Sequence, residues 1–389
     1  MADTLLDPCL PPAAFNASII TLLQQLLPGW GAAPAASLAL RRISGGITNA
    51  LMRAERPGAA AVLVRVFGSG SDLLIDRAAD GARSAWLGRV GAGPAVLATF
   101  RNGRVEAWID RARPLEPQEM GARAPFDAPT LIAREVARFH ALVEPAATAT
   151  ATAGPVLWEK LGAWARLAFA GDAAGAAAWE GELAALAERL PSHRNGNGAA
   201  LLRALAEGGG EAPPLRRARA EGAALAFRVA FCHNDLLAGN VLLLAEEAPP
   251  RVALIDFEYG APNFAGFDVG NHWCEHVGFL PYDLGRLPDA AGQEHFLRAY
   301  VAALGARPPT AASYEGGGAA EGGEDAVSAA FWDELRRQCE LFMLASHLWW
   351  GLWARVQAAH SAHADFDYAL YARERLAAYG AHKARLLVG

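Results

Sequence analysis

The sequence predicts an α+β chain of two lobes: a small β-rich N-terminal lobe over residues 1–110, after a leading helix, and a larger, mainly helical lobe over 111–389. Three observations carry this. Strand-like segments crowd the first 110 residues around one helical stretch. Helical patterning takes over from about residue 128 and is broken by only a few short strands. Two polar turns in the second half, 231–240 and 255–259, each follow a short apolar run, an arrangement that holds polar side chains at strand ends.

Taken in order, residues 15–27 read as a helix with Leu22, Leu23, Leu26 and Leu27 on one face. Leu38–Ile43, Ile47–Glu55 and Ala61–Phe67 read as strands, the second entered through the tight connection Ser44-Gly45-Gly46. A helix over 72–87 follows. Val96–Phe100 and Arg104–Ile109 then flank Asn102-Gly103, a strong hairpin signal because both turn residues tolerate positive φ. Helices are expected at Thr130–Leu142, Val156–Phe169, Ala174–Leu190, Gly198–Ala206, 266–277, 291–304, 328–357 and 367–378, and short strands at Ala226–Phe231, Val241–Leu244 and Val252–Ile255. The stretches 145–154, 207–222 and 306–325 are Ala-, Gly-, Pro- or Arg-rich and read as loops or flexible insertions.

Composition excludes several classes. A hydrophobic fraction of 53% with mean hydropathy +0.12 belongs to a globular chain, and no apolar run is long enough for a membrane span. A net charge of −6 and a pI near 6.0 leave no basic footprint for nucleic acid. Cys9, Cys232, Cys274 and Cys339 are scattered, against a disulfide framework or a zinc site. The acidic N-terminus is unlike a signal peptide, so a reducing, cytoplasmic setting is expected. Lysine occurs only at positions 160 and 383, the rest of the 35 basic residues being arginine, so any lysine-dependent step has two candidates.

The strongest chemical signal is Phe231-Cys232-His233-Asn234-Asp235-Leu236-Leu237-Ala238-Gly239-Asn240, followed sixteen residues after the Asn by Asp256-Phe257-Glu258. Phosphoryl transfer needs one carboxylate for the proton of the attacking hydroxyl and two oxygen ligands for Mg²⁺ on the nucleotide phosphates. Asp235 fits the first role and Asn240 with Asp256 the second, while His233 supports the loop. Each piece alone equally suits an ordinary polar turn; the spacing and the bordering strands favour the catalytic assignment. His272 and His276 stand at i and i+4, which suits a metal, but no HExxH accompanies them. In the β-rich lobe, Ser44, Gly45, Gly46, Thr48 and Asn49 make a candidate phosphate loop, and Gly-Gly between strands is also a plain turn. Alternation on Val62-Leu63-Val64-Arg65-Val66-Phe67 separates Arg65 from the valines, so Arg65 can supply a phosphate cation unless it is a surface Arg on an edge strand. Asp72, Asp76 and Asp80 are the helix acids spaced to orient it.

These segments resemble the choline/ethanolamine kinase family, together with Asp76-Arg77, Phe100-Arg101-Asn102-Gly103, Phe267-Asp268-Val269-Gly270-Asn271-His272, Leu344–Trp353 and Asp365-Phe366-Asp367-Tyr368, over roughly residues 20–380. The resemblance implies a bilobal protein-kinase-like fold related to aminoglycoside phosphotransferases. It also implies ATP- and Mg²⁺-dependent phosphorylation of a small amino alcohol, the first step of CDP-linked phospholipid synthesis, with a homodimer left open. One departure is Asp80, where the family has Glu, followed here by Gly81.

In the family, aromatic residues close the amine pocket, and the matching positions are Tyr259, Trp350, Trp353 and Tyr371. Trp faces stabilise ammonium by cation–π attraction. The same helix carries Leu348, Trp349, Leu352 and Val356, a core stripe; the resemblance assigns Trp350 and Trp353 to the pocket and Trp349 to the core. Glu275 either helps to neutralise the amine or is a helix-surface acid. The stretch Asn271–Phe279, Gly-containing and short of aromatics after Glu275, is more similar to the ethanolamine branch. Ethanolamine kinase is therefore the expected activity; the alternatives are a choline kinase, a different small-molecule kinase of the fold, and an inactive regulatory scaffold.

Overall fold

Alternating apolar residues in the first hundred positions fold into an antiparallel sheet, because period-two burial gives each strand one face for the core. The computed structural model describes residues 3–43, 49–68, 73–144, 154–192, 197–310, 313–314, 323–361 and 366–388. It divides into two compact units, Met1–Arg113 with Leu242–Glu258 and His360–Phe366, and Pro114–Val241 with Tyr259–Ala359 and Asp367–Gly389.

The first unit opens with α1 (Pro12–Leu26) and continues β1 (Ala39–Ile43), β2 (Asn49–Glu55), β3 (Val62–Phe67), α2 (Arg77–Arg89), β4 (Val96–Phe100) and β5 (Gly103–Ala107). The strands form one sheet in the order β1-β2-β3-β5-β4, each pair antiparallel. Val62, Val64 and Val66 enter a core with Phe15, Ile19, Leu22 and Leu23 of α1. Arg65, on the opposite face, is therefore on the central strand and only 3% exposed, not on an edge. The hairpin turn has a steric reason for its glycine: a Cβ on Gly103 would collide with the Arg65 carbonyl and the Phe100 ring.

The second unit follows the two-residue β6 (Arg113–Pro114) with α3 (Ala128–His140), α4 (Leu157–Ala168), α5 (Ala173–Ala187), α6 (Gly198–Glu207), α7 (Pro213–Phe227) and β7 (Val229–Cys232). The chain then runs through β8 (Val241–Leu244) and β9 (Arg251–Leu254), which pair with each other and lie mostly in the first unit. It returns as β10 (Ala261–Phe264), antiparallel to β7, and ends in α8 (Ala265–Glu275), α9 (Ala290–Ala303), α10 (Gly323–His360) and α11 (Tyr368–Lys383).

One expected loop is corrected. Of residues 207–222 only 208–212 form a connection: α7 starts at Pro213, where two prolines suit the first helical turn, and its Leu, Arg and Ala content is strongly helix-forming. The strand expected at Ala226–Phe231 shifts to Val229–Cys232 because α7 runs to Phe227. Most of the expected insertions 145–154 and 306–325 lies outside the described residues.

Helix α8 is buried on every side although it carries Asp268, Asn271, His272 and Glu275. Gly270 lets α10 approach closely, since a Cβ there would meet Cys339 O at 2.5 Å and Met343 N at 3.0 Å. A polar helix buried all round must satisfy its side chains internally, and that requirement builds the site below. No helix among the described residues is long and apolar enough to cross a membrane.

Candidate active site

The 233–240 loop is held by one carboxylate. Asp268 Oδ2 accepts from the His233 amide at 2.8 Å and Oδ1 from the Asn234 amide at 2.7 Å. His140 Nε2 reaches Asp268 Oδ2 at 2.9 Å, and His140 Nδ1 meets the Tyr300 hydroxyl at 2.7 Å. Burial opposes the Asp268 charge, but these hydrogen bonds and the nearby imidazoles prevail and hold its pKa below the usual range. Asn234 is left-handed, φ +66°, a conformation Asn tolerates better than most residues. Its side chain is clamped by donation to Tyr259 O at 2.9 Å and acceptance from Asn263 at 2.8 Å. His140, Cys232 and Asp268 are close enough together to suggest a metal, yet the Cys232 thiol donates to the Asn263 and Phe264 carbonyls and burial pushes its pKa up, so it is a thiol and not a thiolate ligand.

Within this clamp Asn240 Nδ2 donates to Asp235 O at 2.9 Å and to Asp235 Oδ2 at 3.1 Å, so the amide orients the carboxylate. His233 Nδ1 accepts from the Asp235 amide at 3.3 Å, the loop-supporting role expected of it. Asn240 Oδ1 makes no hydrogen bond among the described residues, leaving a hard oxygen donor available.

In the first unit, Arg65 Nη1 contacts Asp256 Oδ1 at 3.0 Å and Arg65 Nε lies 3.5 Å from Glu106. The β3–β5 register sets Arg65 directly opposite Arg104, which is repulsive by itself. Glu106 offsets it by pairing with both guanidiniums. Burial works against the Arg65 charge, but Asp256 and Glu106, with Glu258 and Asp80 beyond, more than compensate and keep it ionised. Asp80 differs from expectation. Its 2.7 Å partner is Arg104, with Ser84 at 3.2 Å and Arg77 at 3.7 Å; it acts on Arg65 only through space. Glu258 receives Arg77 at 3.0 Å and Asn49 Nδ2 at 3.2 Å. Asp256 is also left-handed, φ +66°, and its Oδ2 carries no hydrogen bond among the described residues. Ser44, Gly45, Gly46 and Thr48, and with them Asp72, lie outside the described residues.

Three of the four aromatic positions, Tyr259, Trp350 and Trp353, come together in the second unit. Tyr259 meets Trp350 edge-on at 5.3 Å, Trp350 meets Trp353 at 5.6 Å, and Trp353 Nε1 donates to the Tyr259 hydroxyl at 2.7 Å. Trp350 Nε1 donates to Asn271 Oδ1 at 2.7 Å. Tyr371 meets Phe279 at 5.5 Å and Tyr282 at 6.2 Å, and its hydroxyl accepts from Arg375 Nη1 at 3.3 Å. Burial pushes its phenol up, Arg375 opposes this, and the charges of Glu275 and Asp235 add to the rise. Glu275 is no helix-surface acid: it is 4% exposed, and Arg375 Nη1 holds its Oε1 at 2.9 Å. Burial raises its pKa and Arg375 restrains the rise. Glu275 Oε2 makes no hydrogen bond among the described residues.

Several of these groups escaped sequence reasoning: Glu106, Arg104 and Glu258, the clamp role of Asp268 with His140, and Arg375. Arg375 stands four residues after Tyr371, and a buried all-round helix containing Asp268 was a second usable signal.

The buried histidines make a pH prediction. Burial lowers His272 to about 4, and His276 and His347 fall well below the ordinary value. The folded chain keeps these imidazoles neutral while the unfolded chain protonates them below about pH 6.5. Protons therefore favour the unfolded state from about pH 6.5 down to about 4, and stability is lost as pH falls through that window. Asp268, with a depressed pKa, adds its own loss only at more acidic pH. Thermal melts at about pH 7.5 and about pH 5 should give the lower midpoint at the acidic condition; equal midpoints would contradict this account.

The model of the family described as choline/ethanolamine kinase matches residues 40–380. A probable ethanolamine kinase of Arabidopsis thaliana is 31% identical over 369 residues, covering 94% of this chain and 85% of its own. Among solved structures, an ethanolamine kinase of Plasmodium vivax superposes with TM-score 0.68 at 20% identity, covering 97% of this chain and 90% of that one. A choline kinase of Cryptosporidium parvum superposes with TM-score 0.65 at 22% identity, covering 95% of each. These superpositions bear out the kinase-like α+β fold expected from the sequence.

Proposed function

The chain belongs to the choline/ethanolamine kinase family, and from that premise we propose that it transfers the γ-phosphoryl group of ATP to ethanolamine with Mg²⁺ as the metal. The observation that carries this is the 31% identity, over 94% of the chain, to a relative named as an ethanolamine kinase. Asp235 takes the proton of the substrate hydroxyl as its oxygen bonds to phosphorus and the bond to the ADP oxygen breaks. Asn240 keeps the Asp235 carboxylate aimed, and its Oδ1 is a hard oxygen that would hold Mg²⁺. Asp256 Oδ2, in the first unit, is another oxygen of the kind that would hold it, and the metal would neutralise charge on the nucleotide phosphates. Arg65 is the phosphate cation, held by Asp256 and Glu106. The assignment of Ser44, Gly45, Gly46, Thr48 and Asn49 to the nucleotide phosphates rests on their sequence motif and the family resemblance, and Asp80 supports the Arg65 network through Arg104.

Substrate choice rests on hydrogen-bond chemistry. A primary ammonium has three donors; a quaternary one has none. Tyr259, Trp350, Trp353 and Tyr371 suit either cation, but the free Oε2 of Glu275 serves only the donor. Three buried free thiols, Cys232, Cys274 and Cys339, fit a reducing cytosolic setting. Turnover measured side by side with ethanolamine, its mono- and dimethyl derivatives and choline should fall stepwise with methylation. A preference for choline would replace ethanolamine by choline as the substrate, and no turnover with any of them would remove the kinase assignment.

A further inference from the structure

Away from the aromatic cluster, the second unit contains a cavity of about 270 Å³ whose lining includes Gly121, Arg123, Trp273, His276, Arg286 and Asp289. Its polar groups divide sharply into matched and unmatched. Arg286 is paired with Asp283 at 3.2 Å, and Asp289 Oδ1 accepts from the Gly292 amide at 2.8 Å as the cap of α9. Arg123 has neither an ion pair nor a hydrogen bond among the described residues. His276 is 5% exposed, and neither ring nitrogen has a protein hydrogen-bond partner among the described residues. Trp273 Nε1 is a buried donor without an acceptor.

The unmatched set is therefore rich in donors: the exposed, forked guanidinium of Arg123, a buried indole N–H and a buried imidazole that offers one N–H when neutral. The two buried donors, Trp273 and His276, are costly while unmatched, and a ligand rich in acceptor oxygens removes that cost, with Arg123 at the exposed side to meet its charge. Carboxylates alone would suit a metal; here the one lining carboxylate, Asp289, is engaged as a helix cap while the Arg123 guanidinium stands unpaired among the described residues, which suits an oxyanion. Phe296 and Pro129 supply an apolar wall for a small organic part.

We propose that this cavity is a second ligand site, which takes a small oxyanion of the phosphate or phosphomonoester class. It lies beyond the amino-alcohol chemistry and does not depend on it. Its position gives occupancy a route to the loop: the His276 ring meets His272 edge-on at 5.0 Å, and His272 Nδ1 meets the carbonyl of Leu236, the residue after Asp235, at 3.1 Å.

The test is calorimetric titration of the full chain with inorganic phosphate and, separately, with glycerol 3-phosphate. A nonhydrolysable ATP analogue is kept present to fill the nucleotide's phosphate positions. Saturable binding is expected, with the tighter probe identifying the source of the anion. Arg123→Ala should weaken it about tenfold or more by removing the free cation. Gly121→Leu should do the same without changing a charge, because a Cβ at Gly121 already points at His276 Nδ1 from 3.7 Å. Asp235→Ala should bind as the parent does. No saturable binding of either probe up to about 10 mM overturns the site. So does binding that survives either cavity substitution, or binding that Asp235→Ala abolishes.

Discussion

Replacing Asp235 with alanine should lower kcat for ethanolamine phosphorylation by about 10²–10⁴-fold, the usual worth of a positioned general base, while leaving the thermal midpoint close to that of the parent. The fold should survive because the clamp on this loop is made elsewhere. Asp268 binds the amides of His233 and Asn234, not the Asp235 side chain, and Asn240 keeps its second acceptor, the Asp235 carbonyl. Steady-state turnover at saturating ATP, paired with a melt of the same preparation, separates lost chemistry from lost structure. A variant with parental kcat would remove Asp235 from the reaction.

Asp268→Ala should behave differently. It strips the acceptor from two buried amides and from His140 at once. Removing one partner from a buried, hydrogen-bonded ionic cluster costs about 3–5 kcal/mol, so the melting midpoint should drop clearly. Turnover should also fall at temperatures where the variant is still folded, because Asp235 and Asn240 lose the frame that positions them. Asp268→Asn retains one acceptor oxygen and should fall between the alanine variant and the parent in both measurements. If Asp268→Ala melts with the parent, the clamp does not carry the loop.

The contrast between these residues shows what a sequence can disclose. The order β-β-β-α-β-β was readable because alternation and an Asn-Gly turn are local signals. Asp235, Asn240 and Asp256 were readable because their chemistry is compressed into two short stretches with fixed spacing. The partners of Arg65 were not. Whether Asp80 or Glu106 meets it depends on the β3–β5 register, which joins residues about forty apart. Asp80, the natural candidate by helical spacing, is taken by Arg104 instead. Arg375 was missed because its partner Glu275 is a hundred residues away. The helix over 213–227 was missed because an Ala- and Arg-rich stretch after Gly208-Gly209-Gly210 has the composition of a linker, and only its packing reveals a helix.

Arginine as the sole source of side-chain cations in the first unit, apart from histidine, has a chemical consequence. Both lysines of the chain, Lys160 and Lys383, fall in the second unit. Acylating reagents, reductive methylation and enzymatic acetylation act on an ε-amine that can lose its proton, and guanidinium groups do not offer one. The Arg65–Glu106–Arg104–Asp80 network thus contains no site for lysine-directed modification, and its cations stay charged at any pH the fold tolerates.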